Sequence, residues 1–425
     1  MYIGNTPTSQ SFISGTDYFN GTGSQTVFTL ARSVNSVNDV EVVVNNVIQQ
    51  PNSYTVSGTT LTLSAAPSAG TSNVYVRYLA TNQQSFTVGN NTVGYNQLTA
   101  DMQSKFAMKN RLINSAMVID QRNAGASVTN IVGGIYTVDR FAIYGTQASK
   151  FTAQQNKNSV TPSAGFANYL GISSSSAYSV VAGDYFLINQ AIEGFNIADL
   201  GWGTANAKTV TLSFQVYSSL TGTFGGSLYN YASTVSYPFT YTVSSANTWT
   251  TVSITIAGPT TGSFPTNNAG SLVVAFGLGV GSTYSGTAGT WASTIYLSAT
   301  GATSVVGTNG ATFYITGVQL EVGTSATGFE YRQYQQELAL CQRYYQTANL
   351  SLNGYTGAGT TCSYNPLLPV TMRTTPTVAV VNTAQTNTSA PTGSAAVAGS
   401  IQYATIGVAA GGYLSGANFT ISAEL

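Results

Sequence analysis

The sequence contains no histidine and very little charge. Of its 425 residues only 6% are Asp, Glu, Lys or Arg, 13 basic against 13 acidic, where a soluble domain carries roughly four times that fraction. Without histidine, neither a Ser-His-Asp relay nor a histidine-bound zinc site can be built. Zero net charge and the lack of a basic run argue against nucleic acid, because nothing would displace counterions from a phosphate backbone. They argue equally against an anionic membrane surface, which calls for clustered Lys and Arg. Two cysteines, Cys341 and Cys362, are too few for a disulfide scaffold. No run approaches the ~18 apolar residues of a spanning helix, so no membrane insertion is expected. The opening Met1-Tyr2-Ile3-Gly4-Asn5-Thr6-Pro7 lacks the basic and apolar regions of a signal peptide, and none is expected.

What fills the space is 43% hydrophobic residues, 44 Gly, 27 Tyr and abundant Thr, Ser and Asn. That mixture favours strands and tight turns over helices. The predicted fold class is all-β and multidomain.

Residues 1–88 read as a small β-domain. Val40, Val42 and Val44 share a face, Asn45-Asn46 makes a tight hairpin turn, and Ser57-Gly58 is expected to turn the chain again. Residues 89–118 read as a linker and a short helical neck, with Leu98, Met102 and Phe106 four apart.

The largest unit, 119–332, is predicted to be a β-sandwich of jelly-roll type. Val210, Leu212, Phe214 and Val216 alternate with polar residues, and Leu272, Val274, Phe276 and Leu278 do the same. Phe313 and Ile315 stand in one phase, Val318, Leu320 and Val322 in the other, which predicts a β-bulge at Gly317. No charged residue occurs from Thr209 to Leu320. Residues 333–346 predict a connecting helix with Tyr334, Leu338, Cys341 and Tyr345 on one seam. The remainder, 347–425, predicts a second, smaller β-domain.

Several of these segments carry a family resemblance. Phe313-Tyr314-Ile315-Thr316-Gly317-Val318-Gln319-Leu320-Glu321-Val322-Gly323, Phe329-Glu330-Tyr331-Arg332 and Glu337-Leu338-Ala339-Leu340-Cys341-Gln342-Arg343-Tyr344-Tyr345 resemble the sandwich-to-helix junction of tailed-bacteriophage tail fibres. Ile119-Asp120-Gln121-Arg122-Asn123 and Tyr136-Thr137-Val138-Asp139-Arg140-Phe141 resemble the start of the same module. Pro369 to Val378 and the ending Ser422-Ala423-Glu424-Leu425 are similar to the C-terminal fibre domain. Gly328 departs from the pattern, which would carry Pro there. The resemblance implies a homotrimeric fibre in the virion tail, with the N-terminal domain attached to tail adaptor or nozzle proteins. It also implies recognition of host surface polysaccharide or lipopolysaccharide during adsorption. A hydroxyl-rich, charge-poor chain with no visible export signal agrees with a virion component made in the host cytoplasm and released by lysis.

The expected subunit is not an enzyme and needs no cofactor or metal. Asp184, Glu193 and Asp199 are the best carboxylate cluster for a tailspike-type polysaccharide depolymerase, which is the rival reading. The bland reading gives them structural roles. A third reading is a carbohydrate-binding surface adhesin. Cys341 reads as a packed small hydrophobe. Gly277, Gly279 and Gly281 read as close-packing positions, not a phosphate loop. Trp202, Trp249 and Trp291 read as core. Tyr355, Tyr403 and Tyr413, set among glycines near the C-terminus, are the candidate receptor-binding residues.

Overall fold

The structure, a computed structural model, describes residues 15–79 and 109–425. They belong to two compact units, one on each side of residue 99.

The N-terminal unit contains β1 (Thr16–Gly21), β2 (Val27–Val34), β3 (Val40–Val44), β4 (Val47–Ile48), β5 (Tyr54–Leu63) and β6 (Gly70–Tyr78). They form a sheet in the order β1-β6-β3-β4 and a β2-β5 pair. Alternation buries Phe28, Leu30, Val40, Val42, Leu61, Val74 and Val76 between them. Asn45 and Asn46 both adopt left-handed φ, 51° and 64°, as the predicted two-residue hairpin requires. Ser57-Gly58 does not reverse the chain. Gly58 keeps a left-handed φ of 59°, but inside β5 and opposite Val34, where the ladder is irregular.

The second unit contains a sandwich. Its strands are β7 (Gly133–Val138), β8 (Phe141–Gly145), β9 (Phe151–Gln155), β10 (Leu170–Ser174), β11 (Tyr185–Glu193), β12 (Val210–Ser218), β13 (Gly222–Asn230), β14 (Ser236–Val243), β15 (Thr250–Ile256) and β16 (Gly270–Val280). Two short strands, β17 (Ser285–Gly286) and β18 (Ser298–Ala299), precede β19 (Thr312–Val322). One sheet runs β15-β12-β19-β10-β9 and the other β14-β13-β16-β11-β8-β7. The chain passes repeatedly between the two, as in a jelly roll. Each alternating strand turns one set of side chains inward, and the sets meet in a single core. Phe214 of one sheet lies edge-on to Phe276 of the other, centroids 5.0 Å apart.

The predicted bulge is present. Ser213 pairs with Gln319 and Gln215 with Thr316, so the ladder gains a residue at Gly317, whose φ is +62°. That extra residue lets Ile315 and Val318 both face the core.

The expected helical neck lies mostly outside the described residues. Its described part, 109–118, is not helical. Asn114 and Met117 take left-handed φ, and the segment is sewn into the sandwich. Arg111 N–H donates to the Leu320 carbonyl, Ile113 N–H to Gln190 and Asn114 N–H to Glu337. Those bonds replace a helix's own, so the buried Leu112 and Met117 need no helical partner.

The short helix α1 spans Tyr334–Gln342. Its seam is shorter than expected: Cys341 is buried and Leu338 packs beside it, but Tyr334 is exposed and Tyr345 opens β20. Cys341 packs against Ile113, Ile119 and Tyr344 of the same chain. After α1 come β20 (Tyr345–Thr356), β21 (Thr361–Tyr364), β22 (Thr377–Thr386), β23 (Thr392–Val397), β24 (Ser400–Ile406) and β25 (Gly411–Ser422). They form two three-stranded sheets, β20-β25-β22 and β21-β24-β23, around a small core of Met372, Ile401, Tyr403, Ala417, Phe419 and Ile421.

Much of the chain's scarce charge is concentrated where these strands meet the sandwich. Arg140 is buried and bonds to Glu424, with its guanidinium 3.6 Å from the centre of the Tyr344 ring. Arg122 bridges Asp139 at 3.2 Å and Glu424 at 2.8 Å. Arg343 and the Tyr344 hydroxyl both donate to Glu193, the latter at 2.7 Å.

Candidate functional site

The outer face of the six-stranded sheet is apolar and aromatic. Leu187, Asn189 and Ala191 point outward from β11, and the register carries the row across. Leu187 stands opposite Tyr144, Asn189 opposite Ala275, and Ala191 opposite Val273, which in turn faces Tyr229. Residues 284–299 cross this face and bring Ile295 and Leu297 onto it. The crossing is close: a Cβ at Gly225 or Gly277 would lie 2.4 or 2.8 Å from the Ser298 hydroxyl. Only glycine admits the crossing strand there.

The result is a cleft of about 360 Å³. Leu187, Asn189, Val273 and Tyr229 form its buried floor. Tyr144, Tyr185, Tyr231 and Tyr284 stand around it, with Tyr136 at one end. Tyr185 and Tyr284 meet edge to face with centroids 5.4 Å apart. Tyr231 is 45% exposed, its ring lying over Gly270. The Asn189 amide donates to the Tyr229 hydroxyl at 3.4 Å.

Burial raises the Tyr144 phenol, and neighbouring Tyr231 and Tyr185 add to the shift. Burial also raises Tyr229, partly offset by the Asn189 bond. These hydroxyls therefore stay protonated at neutral pH, each able to donate and to accept. Ring faces and phenol hydroxyls together suit a ligand with an apolar face fringed by hydroxyl groups.

Sequence reasoning missed these tyrosines. Their signal was the apolar runs Tyr185 to Ile188 of β11 and Leu272 to Phe276 of β16, which mark strands covered on both faces. The residues themselves lie up to 148 positions apart (Tyr136 to Tyr284), and only strand register collects them.

The other candidates fall elsewhere. Tyr355 is 80% exposed and Tyr413 is half-buried. They lie diagonally across the β20–β25 ladder, where Gly354 pairs with Tyr413 and Tyr355 with Gly412. Tyr403 is fully buried, bonding to Ser415 at 2.8 Å and packing on Phe419. Its ring cannot meet a receptor, because alternation along β24 turns it inward despite the glycines nearby.

The three carboxylates are not one cluster. Asp184 accepts from Tyr178, Thr146 and the Val181 amide. Glu193 is held by Arg343 and Tyr344, and Asp199 by Arg111 at 2.7 Å. Trp202 is buried against Phe264 and Trp291. Trp249 is half-buried on the opposite sheet against Tyr169 and Tyr217. Gly279 and Gly281 are packing positions, where a Cβ would meet Val306 at 2.6 Å and the Val181 carbonyl at 2.1 Å. Among the described residues no helix is long and apolar enough to cross a membrane.

No family model matches the chain, and no curated protein matches it. Among solved structures it is similar to a putative sugar binding protein from Bacteroides thetaiotaomicron, at 13% identity and a TM-score of 0.31, over 51% of this chain and 100% of that one. It is similar to the enzymatically active domain of bacteriophage CBA120 tailspike protein 4, at 12% identity and a TM-score of 0.26. That alignment covers 43% of this chain and 19% of the tailspike chain. A family 11 carbohydrate-binding module from Clostridium thermocellum aligns at 10% identity and a TM-score of 0.23, over 45% of this chain and 98% of that one. Identity and TM-score are low throughout, and the functional reading rests on the cleft's own residues.

Proposed function

We propose that the chain is a non-enzymatic tail-fibre subunit of a tailed bacteriophage that binds host surface glycan in the tyrosine cleft. The carrying observation is that cleft: about 360 Å³, floored by apolar residues and ringed by tyrosines. Aromatic faces stack on the C–H faces of sugars while phenol and amide groups meet their hydroxyls. Host polysaccharide or lipopolysaccharide is the partner this supports. Tyr355 and Tyr413 are a secondary contact in this reading; Tyr403 is not.

The fibre role rests on the sequence resemblance at 313–345. It carries with it a homotrimer and attachment to tail adaptor proteins through the N-terminal unit. One feature of the C-terminal residues favours self-association: Leu367, Val397 and Val408 are each more than half exposed around a small core. Three copies shielding these residues along one axis would account for them. The engaged carboxylates at 184, 193 and 199 favour binding over hydrolysis.

The test is adsorption. Purified protein should compete with phage for host cells, and Tyr231→Ala should abolish competition while native mass spectrometry still reports a trimer. Undiminished competition by a folded Tyr231→Ala, Tyr185→Ala double variant would overturn the cleft as the receptor site.

A further inference from the structure

Resting on the glycan reading of the cleft, we infer that the ligand is an uncharged oligosaccharide and that the cleft rejects acidic sugars. Among the described residues, no Asp, Glu, Lys or Arg lines it. Tyr229, Tyr231, Val273, Tyr284 and Leu297 come from the stretch between Thr209 and Leu320, which carries no charged side chain at all. The arginines near the Tyr136 end are already committed. Arg122 lies 4.6 Å from the Tyr136 ring centroid but is paired with Asp139 and Glu424, and Arg140 is paired with Glu424.

A uronate, sialate or phosphate entering this cleft would lose hydration and find no counter-charge. An uncompensated buried anion is penalised far more than a hydroxyl that regains hydrogen bonds. The polar groups of the lining are phenols, Ser233, the Asn189 amide and, at the Tyr136 end, the Leu425 main-chain oxygen that accepts from Tyr136 at 3.3 Å; together they offer both donors and acceptors, which match neutral hydroxyls and not a carboxylate's acceptor-only edge. The protonated state of Tyr144 and Tyr229 agrees with this. The volume of about 360 Å³ leaves room for about two pyranose rings.

The experiment uses the full chain and isothermal titration with matched pairs: galactan against galacturonan tetrasaccharides, glucan against glucuronan, mannan against mannuronan. The expected result is binding of at least one neutral member, unchanged between 20 and 500 mM salt, with its acidic counterpart weaker by about 30-fold or more. Tyr231→Ala should weaken the neutral ligand by about tenfold or more; Tyr231 is exposed, so this variant keeps its fold, checked by near-ultraviolet dichroism. An acidic tetrasaccharide binding as well as its neutral partner, and lost in Tyr231→Ala, would overturn charge rejection while leaving the glycan cleft standing. Binding of sugars that Tyr231→Ala leaves untouched, or binding of none, would overturn the cleft reading itself.

Discussion

Arg140 and Glu424 meet inside the protein, 284 positions apart in sequence, and the arginine's guanidinium sits over the Tyr344 ring, 3.6 Å from its centre. The contact ties the last strand's exit to the start of the sandwich. The side chains are 1% and 10% exposed, so neither charge retains its hydration.

Removing one partner of such a pair leaves the other buried and unpaired. Glu424→Gln should therefore destabilise the second unit by about 3–5 kcal/mol, read as a lowered urea midpoint. Arg77→Ala provides the contrast. Its pair with Glu41 is 3.3 Å long with the arginine 57% exposed, and its loss should cost under about 1 kcal/mol. Equal effects from the two substitutions would refute the assignment of the Arg140 pair as the structural tie.

Asp139 gives that junction a pH dependence. Burial raises its carboxyl, hydrogen bonds from Gln121 and the Arg122 charge hold it partly down, and it settles at about 6 against an ordinary 3.8. A folded-state value above the unfolded one means that the folded protein binds the proton more tightly. Its stabilising contribution is complete below about 3.8 and is lost as pH rises through about 6. Asp139→Asn, which stays neutral, should be as stable as wild type or more so at pH 7, the difference closing by pH 4. Urea midpoints at pH 4, 5.5 and 7 decide it; a uniform loss at all three would show that the carboxylate is needed as a charge.

The legible parts of this fold were those where one strand's pattern is enough. Val210 to Val216 and Leu272 to Leu278 announce their inner faces by alternation, and the phase change at Gly317 announces the bulge. The Asn45-Asn46 turn was local too. Residues 109–118 were misread because their apolar spacing suits a helix, while their amides are claimed by Gln190 and Leu320 from distant strands and by Glu337 of α1. Tyr403 was misread because glycines nearby suggested exposure, whereas β24 turns the ring inward. The cleft was invisible for the same reason that it exists: Tyr144, Tyr185 and Tyr229 converge only through the pairing of β8, β11, β16 and β13, and Tyr284 joins them through the segment that crosses that face.

The two cysteines should separate cleanly under a thiol reagent. Cys341 is buried on α1, and burial, reinforced by nearby Asp139 and Glu337, pushes its thiol well above the ordinary value. Little thiolate forms and none is accessible. Native protein at pH 8 should take up one equivalent of label, at the partly exposed Cys362, and two after denaturation in urea. Mapping of native label to Cys341 would contradict the packing of α1 on Ile113 and Ile119.

Two glycines near the sandwich-to-helix junction should respond in opposite ways. Gly317 carries φ +62°, and a Cβ there would stand 2.5 Å from the Phe166 ring. Gly317→Val combines left-handed strain in a β-branched residue with a steric clash, and should cost about 3 kcal/mol or more. Gly328 has open space around its Cβ position and no left-handed φ, and its carbonyl accepts from Lys109, Gln319 and Thr327. Gly328→Ala keeps that carbonyl and reduces the freedom of the unfolded chain, so a gain of about 0.4–1 kcal/mol is expected. Thermal melts of the two variants beside wild type settle the matter, and a tolerated Gly317→Val would mean that β19 can restore its register without the bulge, which would turn Val318 and Leu320 out of the core.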